Sequence, residues 1–264
     1  MQTIIFSDVD GTLLNSQGKI SPDTLCAIRT LKEKGIPFVI SSGRGPTGIY
    51  PILEEYGLRC PMIAHSGGAI LDENGNVLFL RGMEKETVRR LVDFVEREQL
   101  DMAWSLHSLN QWIVKDRTDP RVVKQEKIVR DRAQNGTVDS IEAPQVYKML
   151  AISTPDKLEQ VRQRLVEAFP ELNIVISAED LLDIMDASVT KGKAVEELCR
   201  IWNVPTADTI AFGDNFNDVE MLSTVGKGFL MGNAPEGMKA RFPLHTLDND
   251  HDGIPHALKQ LGIL

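Results

Sequence analysis

The sequence predicts an α/β fold in which a parallel sheet with helices on both faces is interrupted by an inserted α+β block. Three observations predict it. Short apolar runs of strand length, at residues 3–6, 36–40 and 61–64, each end in polar, glycine-containing turns. Apolar stripes with helical spacing separate these runs. Between about residues 82 and 186 the rhythm changes to strand pairs and hairpins, and it then resumes.

Taken in order, Thr3-Ile4-Ile5-Phe6 reads as a buried parallel strand, apolar on both faces. Ser21 as N-cap and Pro22 at the first helical position start a helix whose stripe is Leu25, Ile28 and Leu31, and Gly35 ends it. The strand at 36–40 runs into Ser41-Ser42-Gly43-Arg44. A helix over 46–56 leads to the strand at 61–64 and the turn His65-Ser66-Gly67-Gly68. The insert opens with an amphipathic helix over 84–99, carrying Val88, Leu91, Val92 and Val95 on one face. A hairpin over 101–115, a polar helix from about Asp119 to Arg130 and a turn at Gln134-Asn135-Gly136 follow. A strand at 146–152, a helix at 155–169 and strands at 173–177 and 181–185 complete it. The parallel rhythm resumes with a helix after Lys191, a strand at 208–212, a helix at 219–224 and a strand at 228–231. The core is therefore expected from residues 1–82 and 186–264, and the inserted domain from 83–185.

The chain has 264 residues, of which 42% are hydrophobic and 25% charged, as in ordinary globular proteins. A net charge of -9 argues against nonspecific binding to nucleic acid or anionic membranes. No apolar run reaches membrane-spanning length, and the start lacks the pattern of a secretory signal. Cys26, Cys60 and Cys199 show no metal-ligand spacing and fit reduced thiols, so a cytoplasmic location is expected. His245, His251 and His256, near Asp248, Asn249 and Asp250, read as a solvated loop. The oligomeric state is not legible.

Asp8-Val9-Asp10-Gly11-Thr12 lies just past the first strand, where open α/β sheets place ligands. Two carboxylates there can share a divalent cation, or divide nucleophilic and proton-transfer roles. A helix-loop-helix calcium site fails, because position 12 counted from Asp8 is Lys19 and not Glu. Gly213-Asp214-Asn215-Phe216-Asn217-Asp218 repeats the pattern after a later strand. Asp8, Asp10 and Asp214 are candidate ligands of one Mg²⁺, Asp10 with either its carboxylate or its main-chain carbonyl. An Asp- and Asn-rich helix start would look similar. Lys191, near a helix start, can neutralise a phosphoryl group; a solvated lysine is the plainer reading. Ser42 and Gly43 can offer a hydroxyl and N–H groups to phosphate oxygens.

Together, Asp8-Val9-Asp10-Gly11-Thr12, Ser42-Gly43-Arg44, Lys191-Gly192 and Gly213-Asp214 to Asp218 resemble the four ordered motifs of the haloacid dehalogenase (HAD) superfamily. The long insert resembles the class IIB cap of its Cof-type phosphatases. The resemblance implies a Rossmann-like core, a mobile cap and Mg²⁺-dependent hydrolysis of small phosphorylated metabolites, sugar phosphates by default, with pyridoxal phosphate and flavin mononucleotide open. It implies Asp8 as nucleophile and Asp10 as acid and base. Ser42 and Lys191 would hold phosphate, with Gly43 and Arg44 beside them, and Asp214 would be the third metal ligand. Asn217 and Asp218 would support the site, and Asn233 would lie near substrate. Two departures bear on substrate contacts: Ser66-Gly67 stands where the family often has Asn-Gly, and Ser42 where it often has Thr. A phosphosugar mutase and a non-catalytic phosphometabolite sensor are the alternatives. Which of the alternating sets Met102, Trp104, Leu106 and Ala103, Ser105, His107 faces the substrate is open, as is the role of Lys148.

Overall fold

Ile4–Ser7 is fully buried and pairs in parallel with Phe38–Ser41 on one side and Thr209–Gly213 on the other. The computed structural model describes residues 3–129 and 131–264; Met1, Gln2 and Arg130, where the predicted polar helix ends, lie outside them. The sheet runs Leu244–His245, Lys227–Leu230, Thr209–Gly213, Ile4–Ser7, Phe38–Ser41, Met62–Ala64, all parallel, then Ala69–Leu71 and Val77–Leu80, antiparallel. Side chains alternate between the two faces. Ile5 and Ile40 pack toward the helices Pro22–Glu33, Pro46–Glu55 and Gly253–Gln260, whereas Ile4, Phe6 and Val39 pack toward Lys191–Trp202 and Val219–Thr224. The expected α/β fold, mostly parallel and covered on both faces, is found.

Local signals act as expected at the first helix. The Ser21 hydroxyl accepts from Thr24 N at 3.1 Å, Pro22 opens the helix, and Gly35 follows at φ +68°.

The insert forms a separate sheet, in the order Leu172–Ala178, Leu181–Asp186, Lys148–Ile152, Ala103–His107, Trp112–Val114, Gln134–Asn135. One face carries Trp104, Leu106, Met149, Ala151, Leu182 and Ile184 under the helices Lys85–Arg97 and Pro155–Ala168. The other carries Trp112, Val114, Leu150 and Ile152, beside Val122 of the helix Pro120–Val129. Period-two alternation then assigns Ser105, His107, Lys148, Leu181 and Asp183 to this second face. Met102, Trp104 and Leu106 are thus the packed set.

Two expectations need correction. Gln134–Asn135 is a short strand parallel to Ile113–Val114, not a turn; its two-residue length gives no alternation to read. The C-terminal histidines do not share one solvated loop: His245 belongs to an edge strand and His256 to the helix Gly253–Gln260. That helix follows Asp252 at φ 57°, a left-handed start without a side-chain cap. Among the described residues, no helix is long and apolar enough to cross a membrane.

Candidate active site

Four chain segments meet at the carboxyl ends of the core strands. Asp8 follows the first strand and donates its N–H to the Phe212 carbonyl at 3.0 Å. Lys191 opens the helix capped by Thr190, whose hydroxyl accepts from Lys193 N at 3.1 Å. Its ammonium is buried and lies 2.5 Å from Asp8 Oδ1 and 2.6 Å from Asp218 Oδ1. Asp218 Oδ2 accepts from the N–H groups of Asp214 and Asn215 at 3.0 and 3.1 Å, which ties the turn after the strand Thr209–Gly213. Thr12 donates its hydroxyl to Asp214 Oδ1 at 2.7 Å. Gly11 makes room: at φ +84°, a Cβ there would lie 2.5 Å from Asp214 Oδ2.

Asp8, Asp214 and Asp218 bring carboxylate oxygens within 4.8 Å of one another. Burial pushes the Asp8 carboxyl well above its usual range; Lys191 opposes this, while Asp218, Asp214 and Asp10 add to it. Burial, then Asp218, pushes Asp214 up to about 7. For Lys191 burial works downward, but Asp218 and Asp8 override it and raise its pKa. Such crowding of buried carboxylates fits a bound cation, which would relieve it. Asn217 Oδ1, buried with no hydrogen-bond partner among the described residues, adds a free oxygen in the same wall. The trio can therefore hold a metal ion.

Asp10 stands apart from that trio. Its exposed carboxylate forms a two-pronged ion pair with Arg44, and the carboxylates that gather around one point are those of Asp8, Asp214 and Asp218. Ser42 is buried, and its Oγ accepts from Arg44 N at 3.1 Å. A cavity of about 260 Å³ opens over these groups. Its core side includes Asp8, Asp10, Gly43, Arg44 and Asn217, and its opposite side is the second face of the insert sheet. Asn233 is exposed and does not line the cavity; its Nδ2 donates to the Gly11 carbonyl at 2.9 Å.

A family model described as haloacid dehalogenase-like hydrolase matches residues 5–258. The chain belongs to this family. The hydrolase is 30% identical over 289 residues to Phosphatase YwpJ of Bacillus subtilis, covering 98% of this chain and 99% of that one. It is 31% identical over 256 residues to an HMP-PP phosphatase of Yersinia pseudotuberculosis, covering 95% and 92%. The solved structure of the HAD subclass IIB sugar phosphatase BT4131 superposes over 100% of both chains with a TM-score of 0.86 at 24% identity, a likeness of fold.

Sequence reasoning missed how the hydrolase's insert meets its core. Lys148 Nζ, from the insert, donates to the Gly43 carbonyl at 2.5 Å and lies 3.3 Å from Asp183 Oδ1. Asp183 Oδ2 accepts from Ser66 Oγ of the core at 2.5 Å, and its Oδ1 accepts from Ser177 Oγ at 2.9 Å. In sequence the role of Lys148 is open between a substrate contact and a solvated lysine, and Asp183 does not stand out. Their parity on neighbouring strands was the available signal; the partner across the interface was not.

Proposed function

We propose that this hydrolase is a Mg²⁺-dependent phosphatase of small phosphorylated metabolites that works through an aspartyl-phosphate on Asp8. The observation that carries the reading is Asp8 held 2.5 Å from the Lys191 ammonium in a cavity that also exposes Asp10. Relatives of similar length named as phosphatases support it.

Uncatalysed hydrolysis of phosphate monoesters is so slow that enzymes accelerate it by up to about 10²¹-fold. Charge placement has to supply most of this. Lys191 and its helix N-terminus offset the charge of the ester, so that anionic Asp8 can approach phosphorus. Asp8, Asp214 and the Asp10 main-chain carbonyl, with Asp218 beside them, are the groups that would hold Mg²⁺. Bound there, Mg²⁺ supplies positive charge against the phosphoryl oxygens. The Asp8 oxygen bonds to phosphorus as the ester P–O bond breaks, and Asp10 gives a proton to the leaving oxygen. Asp10 then takes a proton from the water that attacks phosphorus, which frees phosphate and Asp8. Proton transfer of this kind is typically worth about 10²–10⁴-fold. Ser42, Gly43 and Asn217 contact phosphate oxygens, and Arg44 holds Asp10. Residues 83–185 act as a cap on the core of 1–82 and 186–264, and closure excludes bulk water. Asn233 supports the Asp10–Gly11 turn.

Phosphate release from a panel of phosphorylated metabolites, with sugar phosphates as one arm, tests this. Release is expected with Mg²⁺, is abolished by EDTA and returns when Mg²⁺ is restored. Metal-independent turnover would overturn the metal assignment, and isomerised sugar phosphate without free phosphate would point to a mutase.

A further inference from the structure

A second cavity, of about 900 Å³, lies at the opposite edge of the core from the catalytic groups. Phe38 lines it and opens the strand that ends at Ser41, next to Ser42. Trp202 lines it and closes the helix that Lys191 opens. Those twelve helical residues put about 18 Å between the two ends. Among the described residues, none lines both cavities. Small-molecule sites typically take about 300–1,000 Å³, so the size suits a ligand rather than a few waters.

Its lining joins an apolar floor to a cationic rim. Ile28, Phe38 and Leu58 are buried there, and Trp202 is half-buried beside them. The charged lining is Arg29, Lys32 and Arg59 against one carboxylate, Glu73. In a chain of net charge -9 this is a local reversal of sign. The protein does not neutralise it from within. Arg29 donates to the Tyr56 carbonyl at 3.3 Å, and Lys32 and Arg59 have no ion-pair partner among the described residues. Burial pushes the thiol of Cys60, in the cavity wall, up to about 12, and the Lys32 charge opposes the rise, so that ammonium stands close to the wall. The indole N–H groups of Trp104 and Trp112 go to Glu96 and Ser105, whereas that of Trp202 has no partner among the described residues. It adds a donor to the lining.

A neutral apolar molecule would cover the floor and leave the cations unmatched. A free inorganic anion would meet the cations and leave the floor wet. A carboxylate fits the guanidinium fork of Arg59 and the point charge of Lys32, while the second charge of a phosphate dianion would be repelled by Glu73. We propose that this cavity is a second binding site, for a small aromatic carboxylate, with its ring on the floor beside Trp202 and its charge paired with Lys32 and Arg59. The site is independent of the phosphatase reading, since it shares no group with the catalytic cavity.

The test is calorimetric titration of the full chain, in the presence of Mg²⁺, with three probes: 2-naphthoate, its neutral analogue 2-naphthamide, and acetate. Saturable binding of 2-naphthoate is expected, about tenfold tighter than that of the amide, as one charge-assisted hydrogen bond would give. Acetate, which has the charge without the ring, should bind more weakly than 2-naphthoate by a similar factor. The double variant Lys32→Met/Arg59→Met should erase the margin of 2-naphthoate over the amide. Both side chains are exposed, so its melting temperature should match wild type. Arg44→Met, which alters the catalytic cavity, should leave the titration unchanged. No saturable binding of 2-naphthoate overturns the inference, as does equal binding of the amide or of acetate, or a double variant that still prefers the anion. Binding lost in Arg44→Met and kept in the double variant would place the probe in the catalytic cavity and overturn it as well.

Discussion

Arg44 grips both oxygens of Asp10: its Nε lies 2.8 Å from Oδ2 and its Nη2 2.6 Å from Oδ1. The same guanidinium donates through Nη1 to the Val129 carbonyl at 3.4 Å, so one side chain links the first core loop to the insert. The geometry is the planar fork that Lys cannot reproduce. Arg44→Met is therefore expected to lower kcat/KM by about thirtyfold, ~2 kcal/mol for charged hydrogen bonds. Arg44→Lys should recover only part of that. Steady-state kinetics at saturating Mg²⁺ decide it, and wild-type constants for Arg44→Met would contradict the role.

Lys191 is the counter-charge for two buried carboxylates, at 2.5 and 2.6 Å. Removing one partner of a buried ion pair typically costs about 3–5 kcal/mol, because the charge left behind stays desolvated. Lys191→Met should lose both activity and stability by that order. Adding Asp218→Asn should restore part of the stability and none of the activity. Urea denaturation measures the first effect and phosphate release the second; an unchanged unfolding midpoint in Lys191→Met would be inconsistent with the buried pairing.

His65 gives a pH prediction. Burial, then the Lys148 charge, lowers its pKa to about 3, against an ordinary value near 6.5. Below about pH 6.5 the unfolded chain takes up a proton that the folded chain refuses, so stability falls as pH falls. His65 also holds φ 52°, which Asn tolerates. His65→Asn removes this titration. Its stability relative to wild type should rise by about 2 kcal/mol between pH 7 and pH 5, the integral of one unmatched proton over that window. A difference independent of pH would show that His65 protonates in the folded protein.

The parts of the fold legible in the sequence were those with the strongest local signal. Buried parallel strands such as Ile4–Ser7 and Phe38–Ser41 read as unbroken apolar runs, and Ser21-Pro22 and Gly35 punctuate the helix between them. The antiparallel edge was not read. Ala69–Leu71 has only three residues, and Val77–Leu80 is half exposed, with Val77 at 46%. In the site, the motifs at Asp8, Ser42 and Asp214 each follow a strand and Lys191 opens a helix, and these ends of elements are where the segments of residues 8, 191 and 214 were expected to converge. What stayed hidden were pairings between distant segments. Arg44 with Asp10 and Lys148 with Asp183 are ordinary charged residues in sequence, and only the fold gives them partners. Likewise Gln125 looks like one polar residue of a polar helix until its burial is seen.

The central claim is that Asp8 becomes covalently phosphorylated. Rapid acid quench of the enzyme turning over an ester with Mg²⁺, followed by mass spectrometry of its peptides, tests it directly. The account predicts one added phosphoryl group on the peptide holding Asp8, absent in Asp8→Asn, which should be folded and inactive. Turnover with no phosphorylated Asp8 at any quench time, joined to retained activity in Asp8→Asn, would contradict it.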